Sequence, residues 1–463
     1  MYAAVSPGEA VPVIGGGQTA FYARSGSVPL PLIERAEGLS LWDIEGNRYM
    51  DLSSGPIVSN LGHGNPAVIR AMAEQAGKLD YAFPRLARNR ANLDYTERLT
   101  RLAGPGFERA CLVAGGSEAM ENAIKLLRQH ALAMGQPART KVITLQPSYH
   151  GATLATLAMN GEVMMAPFLD GMIEVTPKVP APFAYRTPPG HDAESHAQAC
   201  AEALDETIRA LGPETVLAFV MEPIGGLSTG CVVPPASYFR RIREICTRHG
   251  VHLVFDEVCS GMGRSGRFLA AHHWPEALPD IVVLAKGLGS GYSPLGAVLA
   301  PAALVDALAE RSGFEFQYSS NANPISSAVG LAVLEEYERL DLVDRAGILG
   351  GRLRDGLERL KQSCPIVGDV RGLGLLLAVE LVADQETKAM LPNDLAPCDQ
   401  VRVHGLANGL LIYSRATSGG RHGHWFIAAP PLTATEDEID ELVERVAATL
   451  DDYYAELRGA GAI

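Results

Sequence analysis

Between about residues 110 and 300, short apolar runs alternate with longer stretches whose apolar positions recur every three to four residues. The runs at 109–114, 141–145, 216–221, 251–256 and 280–285 read as strands, and the stretches at 117–133, 194–211 and 236–249 as helices. Strands that are apolar almost throughout, with helices between them, predict a parallel sheet covered on both faces. Upstream, Leu39–Asp43 and Tyr49–Leu52 form a strand–turn–strand pattern around Ile44-Glu-Gly-Asn-Arg, and 66–79 and 90–103 have helical spacing. Residues 1–30 are rich in Gly, Pro and Ser and are expected to be an arm lying on another surface. The Pro-rich stretch 177–193 reads as an excursion loop.

Downstream, 324–361 reads as one or two long helices beginning at Pro324, and 366–383 and 405–431 contain further strand-like runs. A last helix over about 434–458 opens on Thr433-Ala-Thr-Glu-Asp, an N-cap followed by an acidic first turn. With 463 residues the chain exceeds what one core organises. The expected division is an N-terminal arm with part of a small lobe (1–60), a large α/β domain (61–323) and a C-terminal small domain (324–463).

A net charge of −14 argues against broad binding to nucleic acid. The seven cysteines have no CxxC or Cys/His metal spacing, so reduced thiols and no metal site are expected. The first basic residue is Arg24 and no apolar run approaches ~18 residues, so a cytoplasmic protein without a membrane partner is expected.

Ligands of an open parallel sheet bind beyond the carboxyl ends of its strands, so the residues there carry the candidate chemistry. Gly115-Gly-Ser117 opens a helix and offers free N–H groups to an anion; the alternative is a glycine turn with Ser117 as N-cap. Tyr149 could stack on a flat ring or simply pack. Glu222 and Asp256 are carboxylates at the ends of apolar strands, where each needs a partner; an ion pair would serve as well as a ligand. Lys286 is one of only seven lysines and sits between Ile-Val-Val-Leu-Ala and a glycine loop. Burial there would lower its pKa and suit it to Schiff-base chemistry. Anion cradle, stacking ring, carboxylate and amine together suit pyridoxal 5′-phosphate (PLP).

The chain resembles the class III, ω-amino-acid type aminotransferases of the fold-type I PLP enzymes from about Leu39 to Tyr453. Two segments carry the likeness most specifically: Val254-Phe-Asp-Glu-Val-Cys-Ser-Gly-Met-Gly-Arg and Pro279-Asp-Ile-Val-Val-Leu-Ala-Lys-Gly-Leu-Gly-Ser-Gly-Tyr. Ser148-Tyr-His-Gly, Met221-Glu-Pro-Ile-Gly-Gly, Gly368-Asp-Val-Arg-Gly-Leu-Gly and Ala429-Pro-Pro-Leu support it. The resemblance implies a mainly parallel seven-stranded sheet in the large domain and a smaller α+β lobe from both chain ends. It implies that Lys286 is the Schiff-base lysine and proton shuttle, and that Asp256 partners the pyridine nitrogen. Tyr149 and Val258 would cover the ring faces, Gly116 and Ser117 would bind phosphate, and Glu222 would lie beside the cofactor. It further implies a homodimer, or a dimer of dimers, with shared sites. Ser319 stands where a neighbouring subunit's threonine would reach the phosphate.

Members that use 2-oxoglutarate often carry an arginine at the position held here by Ile427, which favours pyruvate. Pyruvate users place a mobile arginine in the preceding loop, where Arg421 is the first choice and Arg415 the second. The segment around Ile57, with Tyr149, is expected to line the substrate end. The expected reaction is ping-pong transfer between an amine or amino acid and a keto acid. A lyase, racemase or decarboxylase on the same framework is the alternative reading, and an inert PLP-binding scaffold a third.

Overall fold

The computed structural model describes residues 30–162, 166–315 and 317–463; the expected N-terminal arm lies outside them except for Leu30. The first strands are β1 (Ile33–Glu37), β2 (Ser40–Asp43) and β3 (Arg48–Asp51), joined as antiparallel neighbours. The β2–β3 turn follows from its residues. Asp43 Oδ1 accepts the backbone N–H groups of Glu45 (3.0 Å) and Asn47 (2.9 Å), and Gly46 takes φ +86°. β1 was not expected.

The central sheet contains β4 (Arg109–Val113), β5 (Lys141–Gln146), β6 (Lys178–Pro180), β7 (Val216–Met221), β8 (His252–Asp256), β9 (Ile281–Leu284) and β10 (Gly296–Ala300). Its seven strands run in the order β4-β10-β9-β8-β7-β5-β6. The pairs from β9 through to β6 are parallel, while β10 is antiparallel to both β4 and β9. Every residue of β7, β9 and β10 is buried. Along β9, Val282 and Leu284 join one core with Tyr238 and Phe239. Ile281 and Val283 join the other with Met120 and Leu127. Covering both faces leaves no polar side to the strand, which is why its sequence shows no alternation.

Two readings need correction. The stretch 177–193 is not wholly a loop: its first residues form β6, an edge strand whose Pro180 needs no ladder donor. β10 was not anticipated, because Gly-Ala-Val-Leu-Ala reads as the tail of the glycine loop after Lys286.

The long helical stretch is two helices, Pro324–Arg339 and Leu342–Ser363, broken at Asp341, whose φ is +49°. Strands β11 (Val367–Leu373), β12 (Leu376–Leu381), β14 (Tyr413–Ala416) and β15 (His424–Ala428) form an antiparallel sheet. The short β13 (Leu410–Leu411) pairs with β3, Leu410 facing Met50, so the two ends of the chain share a sheet. Part of the run at 405–431 is helical, since the helix Pro397–Ala407 extends into it. The last helix, Glu436–Gly459, is closed by Thr435 and Glu438, each side chain bonding the other's backbone N–H. Among the described residues, no helix is long and apolar enough to cross a membrane.

Candidate active site

Strands β4, β5, β7, β8 and β9 all deliver their carboxyl ends to one edge of the central sheet. There Gly116, Ser117, Tyr149, Glu222, Asp256, Val258 and Lys286 line a single cavity of about 410 Å³. That volume suits a small cofactor and substrate.

At the β4 end, helix Gly116–Ala133 starts from Gly115 with no side-chain cap, leaving its first N–H groups directed at the cavity edge. Ser117 is therefore not the N-cap; its Oγ accepts from Ala152 N (3.0 Å), tying the helix start to the loop after Tyr149. A Cβ on Gly116 would meet both Val258 methyls at 3.3 Å, so the missing side chain lets the backbone approach the pocket wall.

Asp256 is almost fully buried, and each of its oxygens is engaged. Oδ2 lies 2.8 Å from His150 Nδ1, and Oδ1 accepts Val258 N at 3.1 Å. A carboxylate can only accept, so His150 carries its proton on Nδ1. Its Nε2 is buried without a partner among the described residues. Glu222 accepts Gly226 N (2.9 Å), Tyr149 N (3.1 Å) and Ser228 Oγ (3.1 Å), so it braces the loops that carry the ring-facing residues. Burial pushes the Glu222 carboxyl above its ordinary range.

Lys286 follows β9 with φ +46°, and its Nζ donates to Cys259 Sγ at 2.8 Å. Burial alone would lower its pKa, but Cys259, Asp256 and Glu222 oppose it, and the net direction is upward. The expectation that burial neutralises this amine is thus corrected: the acidic surroundings outweigh desolvation. Half-buried Tyr149 sits across the cavity, its phenol pushed upward by burial.

The other expected residues are placed differently. Ile57 is buried at 2% exposure with φ +64°, and Val58 takes the cavity wall beside it. Arg421 is exposed and does not line the cavity. Arg415 lies with its guanidinium carbon 5.7 Å from the Tyr149 ring centre and 3.8 Å from Glu162 between nitrogen and oxygen. Ser319 is exposed outside the cavity, its carbonyl accepting from Tyr81 Oη (3.1 Å). Ile427 is buried in β15, its carbonyl accepting from Ser53 Oγ (2.7 Å).

Three residues carry weight that sequence reasoning did not assign. His150 and Cys259 were quoted only inside motifs. Arg264 is fully buried and donates to Asn60 Oδ1 (2.6 Å), to the carbonyls of Leu375 and Ala429 (3.2 Å each), and to that of Pro430. It thereby ties Asn60 to Leu375 and to the Ala429–Pro430 segment. An arginine set among glycines and serines was the available signal.

These residues fit PLP. A deeply buried carboxylate faces the cavity for a ring nitrogen, a helix start open to close approach can receive a phosphate, an aromatic and a valine are placed for the ring faces, and an amine stands ready for an aldehyde.

Residues 21–450 match the family model described as aminotransferase class-III. The chain is 33% identical to a taurine–pyruvate aminotransferase from Bilophila wadsworthia, over 88% of this chain and 90% of the other. It is 31% identical to a diaminobutyrate–2-oxoglutarate transaminase from Halomonas elongata, over 95% and 94%. Among solved structures it is similar to a PLP-bound amine transaminase from an uncultivated Pseudomonas species. The TM-score there is 0.87 at 32% identity, covering 94% of this chain and 99% of that one.

Proposed function

Since the chain belongs to the class-III aminotransferase family, and is a PLP-dependent aminotransferase of fold type I, we propose that it is an ω-transaminase moving an amino group from an amine or amino acid to a keto acid, with pyruvate preferred over 2-oxoglutarate. The observation that carries this reading is the placement of the Lys286 amine and the Asp256 carboxylate on one cavity with the uncapped start of the helix that follows β4.

PLP, when bound, supplies an aldehyde that a primary amine can join and a ring that draws electrons from the carbon bearing that amine. Gly116 and Ser117 would hold its phosphate, Tyr149 and Val258 its ring faces, and Asp256 its ring nitrogen. His150 keeps the Asp256 carboxylate oriented by donating from Nδ1. Glu222 fixes the Tyr149 and Gly226 backbones. Lys286 Nζ takes the proton from the substrate's amine-bearing carbon and later returns one. Because its surroundings favour the ammonium form, this nitrogen must give up a proton before it acts as a base.

Curated relatives are named for both acceptors, so the choice of pyruvate rests on residues. A buried isoleucine at 427 leaves no fixed guanidinium in β15 to meet a second carboxylate. Arg415 beside Tyr149 offers one positive charge near the rim, with Glu162 as its partner when no carboxylate is present. A homodimer in which exposed Ser319 reaches the neighbouring pocket rests on the resemblance alone.

The test uses the holoenzyme with a panel of amines and ω-amino acids, first without an acceptor. Conversion of the cofactor to its amine-loaded form, with carbonyl product and no ammonia release, is expected. Pyruvate should then restore the starting spectrum faster than 2-oxoglutarate does. Ammonia release in one step, or racemisation without any acceptor, would overturn the reading in favour of a lyase or a racemase.

A further inference from the structure

Cys259 has no part in the chemistry above, yet its sulfur is 2.8 Å from the Lys286 amine. We propose that the two form a redox-modification site, in which a peroxide oxidises the thiol and the amine captures it as a sulfur–nitrogen bond. That the bond stops turnover rests on the reading of Lys286 given above; the bond itself does not.

The pair is built rather than incidental. A Cβ on Gly226 would lie 2.8 Å from the Cys259 sulfur and 2.8 Å from Glu222 Oε1, so the glycine makes room for the sulfur where it stands. Glu222 in turn holds the Gly226 N–H, which fixes that wall. Cys259 lines the cavity, so a molecule as small as hydrogen peroxide reaches it. Cys200, Cys231, Cys246 and Cys364 are buried, and neither Cys111 nor Cys398 lines this cavity. Burial pushes the Cys259 thiol upward overall, with the lysine charge opposing it, which makes oxidation slow and dependent on the contact.

The chemistry balances in two steps. Hydrogen peroxide takes two electrons from the sulfur; one oxygen becomes the sulfenic hydroxyl and the other leaves as water. The neutral Lys286 nitrogen then attacks sulfur, the S–N bond forms, the S–O bond breaks, and the hydroxyl leaves as a second water with the proton lost from nitrogen. Two equivalents of a thiol reductant reverse it. An amine already joined to an aldehyde cannot attack, so the site is open when Lys286 is free.

The experiment treats the holoenzyme with hydrogen peroxide, with and without prior loading by an amine donor, and maps the peptides by mass. The expected result is a peptide pair joined through Cys259 and Lys286, two hydrogen atoms lighter than its parts. Its yield should rise after amine loading, and dithiothreitol should restore both peptides and activity. Cys259→Ser should form no such pair and keep a larger fraction of its own starting activity. A Cys259 that ends as free thiol, sulfinic acid or disulfide without the cross-link overturns the proposal, as does equal inactivation of wild type and Cys259→Ser. A cross-link whose yield ignores amine loading supports the site and removes Lys286 from its role as the cofactor's lysine.

Discussion

His150 Nδ1 stands 2.8 Å from Asp256 Oδ2, so the carboxylate at the end of β8 is held from behind by a ring at the end of β5. His150→Ala removes a hydrogen bond to a charged group, about 1.5–3 kcal/mol. That predicts a fall of about ten- to hundredfold in kcat. Asp256→Ala should fall further, because the ring nitrogen then has no carboxylate at all. Steady-state kinetics on both variants, with bound cofactor quantified by absorbance, checks the order. Equal losses would mean that His150 does more than orient its partner.

Arg415→Ala should weaken acceptors through their carboxylate. Losing a charge-assisted contact of about 1.5–3 kcal/mol lowers kcat/KM for pyruvate by about ten- to hundredfold. The same variant should leave neutral amine donors nearly as good as before. Arg421→Ala, at an exposed position, should change neither by much. The two variants, each assayed with a charged and a neutral substrate, separate these outcomes.

Arg264→Leu should unfold at lower urea concentration than wild type. The substitution leaves Asn60 Oδ1 and the carbonyls of Leu375 and Pro430 buried without their donor, while the Ala429 carbonyl keeps Ser54 Oγ. Unsatisfied buried acceptors cost about 1–3 kcal/mol each, and their neighbours relax only in part, so a loss of at least about 3 kcal/mol is expected.

Asp51 gives a pH signature. It is buried beneath the β3 end, and burial pushes its carboxyl up to about 6, against the hydrogen bonds from Ser53 N and Gly55 N. The folded chain thus keeps this proton over a range, about pH 4 to 6, in which the unfolded chain has lost it. Its contribution to stability is full below about pH 4 and is lost as pH rises through about 6, by about 2–3 kcal/mol. Urea unfolding at pH 4 and pH 7 should show that difference shrink in Asp51→Asn relative to wild type.

Much of this architecture was legible because β7, β8 and β9 are strands with both faces covered, and their unbroken apolar runs announce it. Lys286 was legible for a related reason: a scarce, costly side chain at the end of such a run needs a purpose. His150 and Cys259 were not, since their meaning lies in contacts between strand ends far apart in sequence. The direction of the Lys286 shift was not legible, because burial is visible in a sequence while the convergence of Cys259, Asp256 and Glu222 on its amine is not. Which of Arg415 and Arg421 stands beside Tyr149 was equally hidden. Loop spacing does not say which guanidinium turns toward Tyr149, and β14 decides that by pairing Arg415 with Trp425.

The central claim is that Lys286 is the residue to which PLP is joined. Sodium borohydride reduction of the holoenzyme, followed by digestion and peptide mapping, tests it directly. The account predicts one stable pyridoxyl adduct, on the peptide containing Lys286, and none in Lys286→Ala. An adduct on another lysine, or an unlabelled Lys286 in fully loaded enzyme, would contradict it.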